Sequence, residues 1–132
     1  MYADTDWMIS NTGNISVLAC GELIENDSEK KIWGWVLRIE NNSDEQITLL
    51  KKNFCLTDEC GHCLYDCSDG FNGELPDLQP GEYFEYEQTA SIGRLSAVLY
   101  GFCSAVTAKG KELKINLPVV NLSSEQSVNL IN

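Results

Sequence analysis

A two-residue apolar period recurs along this sequence, and nowhere does a sustained helical period with caps replace it. In residues 32–41 (IWGWVLRIEN), Trp33, Trp35, Leu37 and Ile39 fall on one side, with Gly34, Arg38 and Glu40 on the other. That is the pattern of a strand with one buried face, and both tryptophans belong to the core, where each removes a large apolar area from water. Ile15, Val17 and Ala19 alternate in the same way, as do Leu113, Ile115 and Leu117 before Pro118. Residues 47–57, 62–67, 83–90 and 95–106 read as further strands. Asn41-Asn42-Ser43-Asp44, Asp58-Glu59-Cys60-Gly61 and Ala108-Lys109-Gly110 supply turns between them. Short strands with a turn signal roughly every ten residues predict an all-β chain folded as an antiparallel sandwich of about seven or eight strands.

Size and charge narrow the function. A chain of 132 residues is expected to form one domain. Its net charge of −11 repels phosphate backbones and anionic lipid surfaces. The nine basic residues form no stripe, so neither direct nucleic-acid binding nor a membrane role is expected. Residues 1–10 have no basic, apolar leader pattern, and the longest near-apolar run, 97–106, is roughly half of what a membrane helix needs. The expected location is cytoplasmic, and the six cysteines are expected to be reduced thiols. Residues 1–14 read as a flexible lead-in, 21–31 as a solvated connection, 15–122 as the domain and 123–132 as a polar tail.

The long connection at residues 70–86 (GFNGELPDLQPGEYFEY) delivers the chain into an alternating aromatic strand. Across this region several fixed-spacing motifs coincide. They are Ile39 and Asn41; Leu49 and Leu50; Phe54, Leu56, Thr57, Asp58 and Gly61; Gly70, Gly73, Glu74 and Pro76; and Pro80, Gly81, Glu82, Phe84 and Tyr86. Gly101, Gly110, Leu117-Pro118 and Leu122 continue the series. Together they resemble the ApaG family over roughly residues 15–122. The resemblance implies an immunoglobulin-like, fibronectin type III-like sandwich with no known catalytic activity. It also implies a free-standing protein linked to cobalt tolerance and magnesium efflux in bacteria, and a protein-binding domain where eukaryotic proteins carry it. The chain departs from the family pattern at Ser68, where some members have the first glycine of a G-x-G-x-x-G run. It departs again at Phe54, in place of tryptophan, and in its Cys60, Cys63 and Cys67.

Four chemistries are open to residues of this kind. A phosphate cradle at Gly70–Gly73 lacks the helix whose amides would meet the anion, and Asp69, Glu74 and Asp77 oppose one. Cys60-x-x-Cys63 beside His62 has metal-ligand spacing. Cys63 and Cys67 on one strand would lie about 13 Å apart, too far for one ion, so Cys60, His62 and Cys63 are the candidate metal set, for a divalent ion, with no other cofactor expected. His62, the single histidine, and Cys63 point to opposite strand faces, while a Cys55–His62 pair across the hairpin stays open. Gly70, Phe71, Asn72, Gly73 and Glu74 form the candidate partner-binding loop. Phe71 is either an exposed anchor or packs back onto the sandwich. The reading is a non-enzymatic protein-interaction module for an unidentified protein partner, monomeric or a homodimer joined at an edge such as 113–117. The alternative is an ion or phosphate sensor using Gly70–Gly73 or the Cys60–Cys67 hairpin.

Overall fold

In the computed structural model, residues 7–26, 31–91 and 96–123 are described. Ten strands occur among them: β1 (Met8–Thr12), β2 (Ile15–Asn26), β3 (Lys31–Asn41), β4 (Ile47–Asp58), β5 (Cys63–Asp66), β6 (Asp77–Leu78), β7 (Tyr83–Ser91), β8 (Ser96–Thr107), β9 (Glu112–Asn116) and β10 (Val120–Ser123). They form two antiparallel sheets, ordered β1-β2-β3-β7 and β10-β8-β4-β5, with β6 joined to β4 and β9 to β8. The predicted antiparallel sandwich is the observed fold. No helix among the described residues is long and apolar enough to cross a membrane.

The core lies between the sheets, where the alternating faces meet. Trp33, Trp35, Leu37 and Ile39 of β3 are all buried, opposite Leu49, Phe54, Leu56 and Leu99 of the second sheet. Two segments read as irregular are strands. The lead-in contains β1, which turns at Gly13 (φ +57°) and pairs Met8 with Ala19 through Thr12 with Ile15. Its hydroxyls then clip onto the other sheet, because Ser10 Oγ donates to Asn116 O and Asn116 N donates to Thr12 Oγ1. The acidic connection after Gly21 pairs as far as Asn26 with Lys31. A strand ladder is satisfied by backbone groups, so exposed polar side chains do not prevent it. Residues 1–6 of the lead-in, 27–30 of the connection and 124–132 of the tail lie outside the described residues.

A bulge in β4 sets what the core contains. The register against β8 shifts between Leu49 and Lys51, so Leu49 faces inward and the inward set resumes at Lys52, Phe54 and Leu56. Lys52 is thereby carried inside and is 5% exposed. Its Nζ donates to Gly70 O at 2.7 Å and lies 5.2 Å from the ring centres of both Phe71 and Tyr86. Asn41 ends β3 as a second buried polar residue with its needs met. Its Nδ2 donates to Glu45 O and Leu78 O, and its Oδ1 accepts from Ser43 N and Ser43 Oγ.

Phe71 resolves one of the open readings. It is 1% exposed, with its ring edge-to-face on Phe84 at 5.4 Å and Tyr86 at 5.1 Å, and tilted against Phe54 at 6.4 Å. The exposed-anchor reading is corrected: Phe71 is a core residue. The cause is local, because Asn72 (φ +54°) and Gly73 (φ +84°) make a tight turn closed by Phe71 N to Glu74 O and Glu74 N to Phe71 O. Positive φ at both central positions is the geometry that Asn-Gly favours, and it returns Phe71 to the sandwich. Phe71→Ala is expected to lower unfolding stability in urea by about 3–5 kcal/mol. An exposed side chain at this position would cost about 0.5 kcal/mol or less.

Candidate functional site

The hairpin between β4 and β5 is organised by Asp58. Its Oδ1 accepts from Cys60 N and His62 N, and its Oδ2 lies 3.2 Å from His62 Nδ1. Partial burial pushes the Asp58 carboxyl up, but these amides and the neighbouring imidazole outweigh it and hold the group below its ordinary range. His62 is thus directed to Asp58, while Cys63 Sγ faces the opposite side, 3.3 Å from Thr57 Oγ1. Cys60 sits exposed in the turn. The structure does not bring Cys60, His62 and Cys63 together, because the His62 ring turns to Asp58 while the Cys63 thiol turns to Thr57. Among the described residues no group of three or more His, Cys, Asp or Glu is placed to hold a metal ion.

Cys55 finds hydroxyls and not the imidazole. Burial raises its thiol, but hydrogen bonding with Thr57, Tyr100, Cys63 and Tyr65 outweighs that and leaves it below the usual thiol value. The Cys55–His62 pair left open by the sequence is not formed, since the His62 ring is engaged at Asp58. Cys103, deep between the sheets, is pushed up by burial to about 12, with the Lys52 ammonium pulling weakly the other way. All six cysteines are free thiols.

In the glycine loop three backbone donors are engaged within the fold. Gly70 N donates to Leu50 O, Phe71 N to Glu74 O and Glu74 N to Phe71 O. A cradle for an anion needs such amides pointing outward together, and here they close the turn and fasten it to β4. Gly70 (φ +71°) also admits no side chain, since a Cβ would lie 2.6 Å from Glu74 O. Asn72, Gly73 and Glu74 remain exposed at the tip.

The concave surface lies elsewhere, where β5 and β7 end their respective sheets. Between these edges a recess of about 260 Å³ opens into the interlayer space, floored by Trp35, Phe54, Leu56 and Leu99 and rimmed by Leu64, Tyr65, Asp66, Gln88 and Ala90. A second recess of about 230 Å³ continues it toward the hairpin, shares Leu56 and Leu64, and is bounded by Asp58, His62 and Ser91. Together they make a cleft that follows β5. Leu64 and Tyr65 on its rim are 51% and 71% exposed. Asp66 at its mouth accepts from Ser68 Oγ and Gln88 Nε2, with Lys52 Nζ 3.9 Å away.

Sequence reasoning pointed to the glycine loop and the Cys60–Cys67 hairpin as candidate sites and did not point to this cleft. Its residues come from β3, β4, β5, β7 and β8, so no local motif marks it. The one available signal was the pair Leu64-Tyr65, apolar in a short strand between two polar turns.

Comparison with known proteins agrees with the fold. The chain matches the ApaG domain over residues 22–106. It is similar to Protein ApaG of Parvibaculum lavamentivorans, 29% identical over 91% of this chain and 95% of the relative. It is also similar to Protein ApaG of Agrobacterium fabrum, 27% identical over 84% and 85%. An X-ray structure of a Northeast Structural Genomics Consortium target, SoR45, superposes with a TM-score of 0.81 at 20% identity, covering 89% of this chain and 92% of that one.

Asp66 makes the cleft mouth sensitive to acid. Burial pushes its carboxyl up, but the Ser68 and Gln88 hydrogen bonds and the Lys52 charge outweigh it and hold it below the ordinary aspartate value. Because the folded-state value is depressed, its contribution is fully present above about pH 4 and is lost as pH falls through the folded value. Unfolding measured from pH 7 to pH 2 should show stability falling more steeply below about pH 4 in the parent chain than in Asp66→Asn.

Proposed function

This chain belongs to the ApaG domain family, and from that premise we propose that it works without catalysis, as a protein-interaction module. Its docking site is the cleft between β5 and β7, and its ligand is an extended segment of another polypeptide. The observation that carries this reading is the pair of adjoining recesses aligned along a free strand edge. The backbone groups on an edge strand await a partner, and strand addition is a recurrent way of binding an extended peptide. A segment paired to β5 would send alternate side chains into the interlayer space, where the recesses lie.

Charge selects the segment. With 20 acidic against nine basic residues, and Asp58 and Asp66 on the cleft, a neutral or basic segment is favoured over an acidic one. Catalysis is disfavoured because the single histidine is bound to Asp58 and the low-lying Cys55 thiol has hydroxyl, not imidazole, neighbours. A cytoplasmic location accords with the free thiols. Any part in divalent-cation homeostasis, as the family resemblance implies, would run through such a partner.

Selection of peptides from a random library on the intact chain tests this. Bound peptides should be neutral or basic, should perturb the amides of residues 63–66 and 88–91 by NMR, and should lose about tenfold or more in affinity on Leu64→Asp, the change expected for a charge at an apolar contact of about 1.4 kcal/mol. Peptides that bind elsewhere, or that ignore Leu64→Asp, would refute the docking site.

A further inference from the structure

The larger recess carries a specific polar pair. Trp35 and Gln88 face each other across β3 and β7, which places their Cβ atoms about 5 Å apart on one face. Both line the recess of about 260 Å³. Trp35 is 4% exposed, yet among the described residues its Nε1–H finds no acceptor, and Gln88 Oε1 is likewise buried without a donor. Buried polar atoms are as a rule paired, and each exception calls for an explanation.

The orientation of Gln88 is set by its neighbour. The ionised Asp66 carboxylate accepts only, so it takes the amide nitrogen of Gln88 at 3.3 Å. Oε1 is therefore the acceptor end that remains. The apolar walls of Phe54, Leu56, Ala90 and Leu99 thus cover one unpaired donor and one unpaired acceptor on neighbouring strands, which a small turn of the half-buried Gln88 side chain opens to the recess.

Resting on the docking reading above, we propose that this recess takes a tyrosine side chain of the partner segment. Its ring fills the apolar space, and its hydroxyl accepts from Trp35 Nε1 and donates to Gln88 Oε1. Other anchors fit less well. Phenylalanine leaves both polar atoms unpaired, and tryptophan donates but cannot accept from Trp35. Aspartate and glutamate meet the Asp66 charge, and asparagine and glutamine leave most of the apolar volume empty.

The test uses 4-methylphenol as the tyrosine side chain and toluene as its control lacking the hydroxyl, followed by NMR of the intact chain. The Trp35 indole N–H signal, assigned by its loss in Trp35→Phe, should shift saturably with 4-methylphenol. Toluene should bind about fivefold or more weakly, the worth of a neutral hydrogen bond. Gln88→Leu, which keeps the size and removes the acceptor, should reduce that preference, leaving only the Trp35 hydrogen bond. An indole signal unmoved by 4-methylphenol, or equal binding of the two probes, overturns the proposal. Because the probes make no strand pairing, the result is separable from the docking reading. Library peptides that dock along β5 without an inward tyrosine overturn this proposal alone, whereas 4-methylphenol binding without any peptide docking at β5 supports the recess and overturns the docking reading.

Discussion

An ammonium group inside a sandwich is costly unless every neighbour is in place, and the Lys52 ammonium is where loop, sheets and cleft meet. Its Nζ holds Gly70 O at 2.7 Å, lies 5.2 Å from the ring centres of Phe71 and Tyr86, and is 3.9 Å from Asp66. Each contact constrains a different element. Gly70 and Phe71 belong to the long connection, Tyr86 to β7 and Asp66 to the end of β5. Displacing any one of them would leave a buried charge less compensated, so the connection is held at Gly70 and Phe71 although it has little regular structure.

The same group connects the core to the surface. Lys52 helps hold Asp66 ionised, Asp66 orients the Gln88 amide, and Gln88 stands beside Trp35 in the open recess. That chain of contacts makes the polar pattern of the cleft a consequence of the β4 bulge. Without the register shift between Leu49 and Lys51, alternation continued from Leu49 would turn Lys52 to solvent and bring Lys51 and Asn53 inward in place of Lys52 and Phe54. The cleft itself exists because β5 has four residues against nine in β7, so the edge of one sheet is too short to cover the other.

Much of this was legible in residue order. The period of two in β3, the terminal Asn41, the Asp58 turn and the Pro-Gly entry into β7 all carry their structural meaning locally, through side-chain alternation and turn chemistry. The glycine loop was harder. Its acidic residues and prolines oppose a phosphate cradle, but Phe71 between glycines admits two opposite placements. Asn72-Gly73 decides between them, because a turn with positive φ at both positions folds the phenylalanine back and not outward. β1 was missed for a related reason: polar strands at an edge are held by backbone bonds and carry no apolar signature.

Residue order alone carries the fold class, the family pattern and the acidic charge balance, since these follow from periodicity, fixed motif spacing and composition. Tertiary structure alone decided that Lys52 is inside and that Trp35 and Gln88 stand together at an open edge. Those outcomes depend on strand register and on which strands finish each sheet. Both arise from pairing between residues far apart in the chain, and a one-residue shift reverses which side chains face the core.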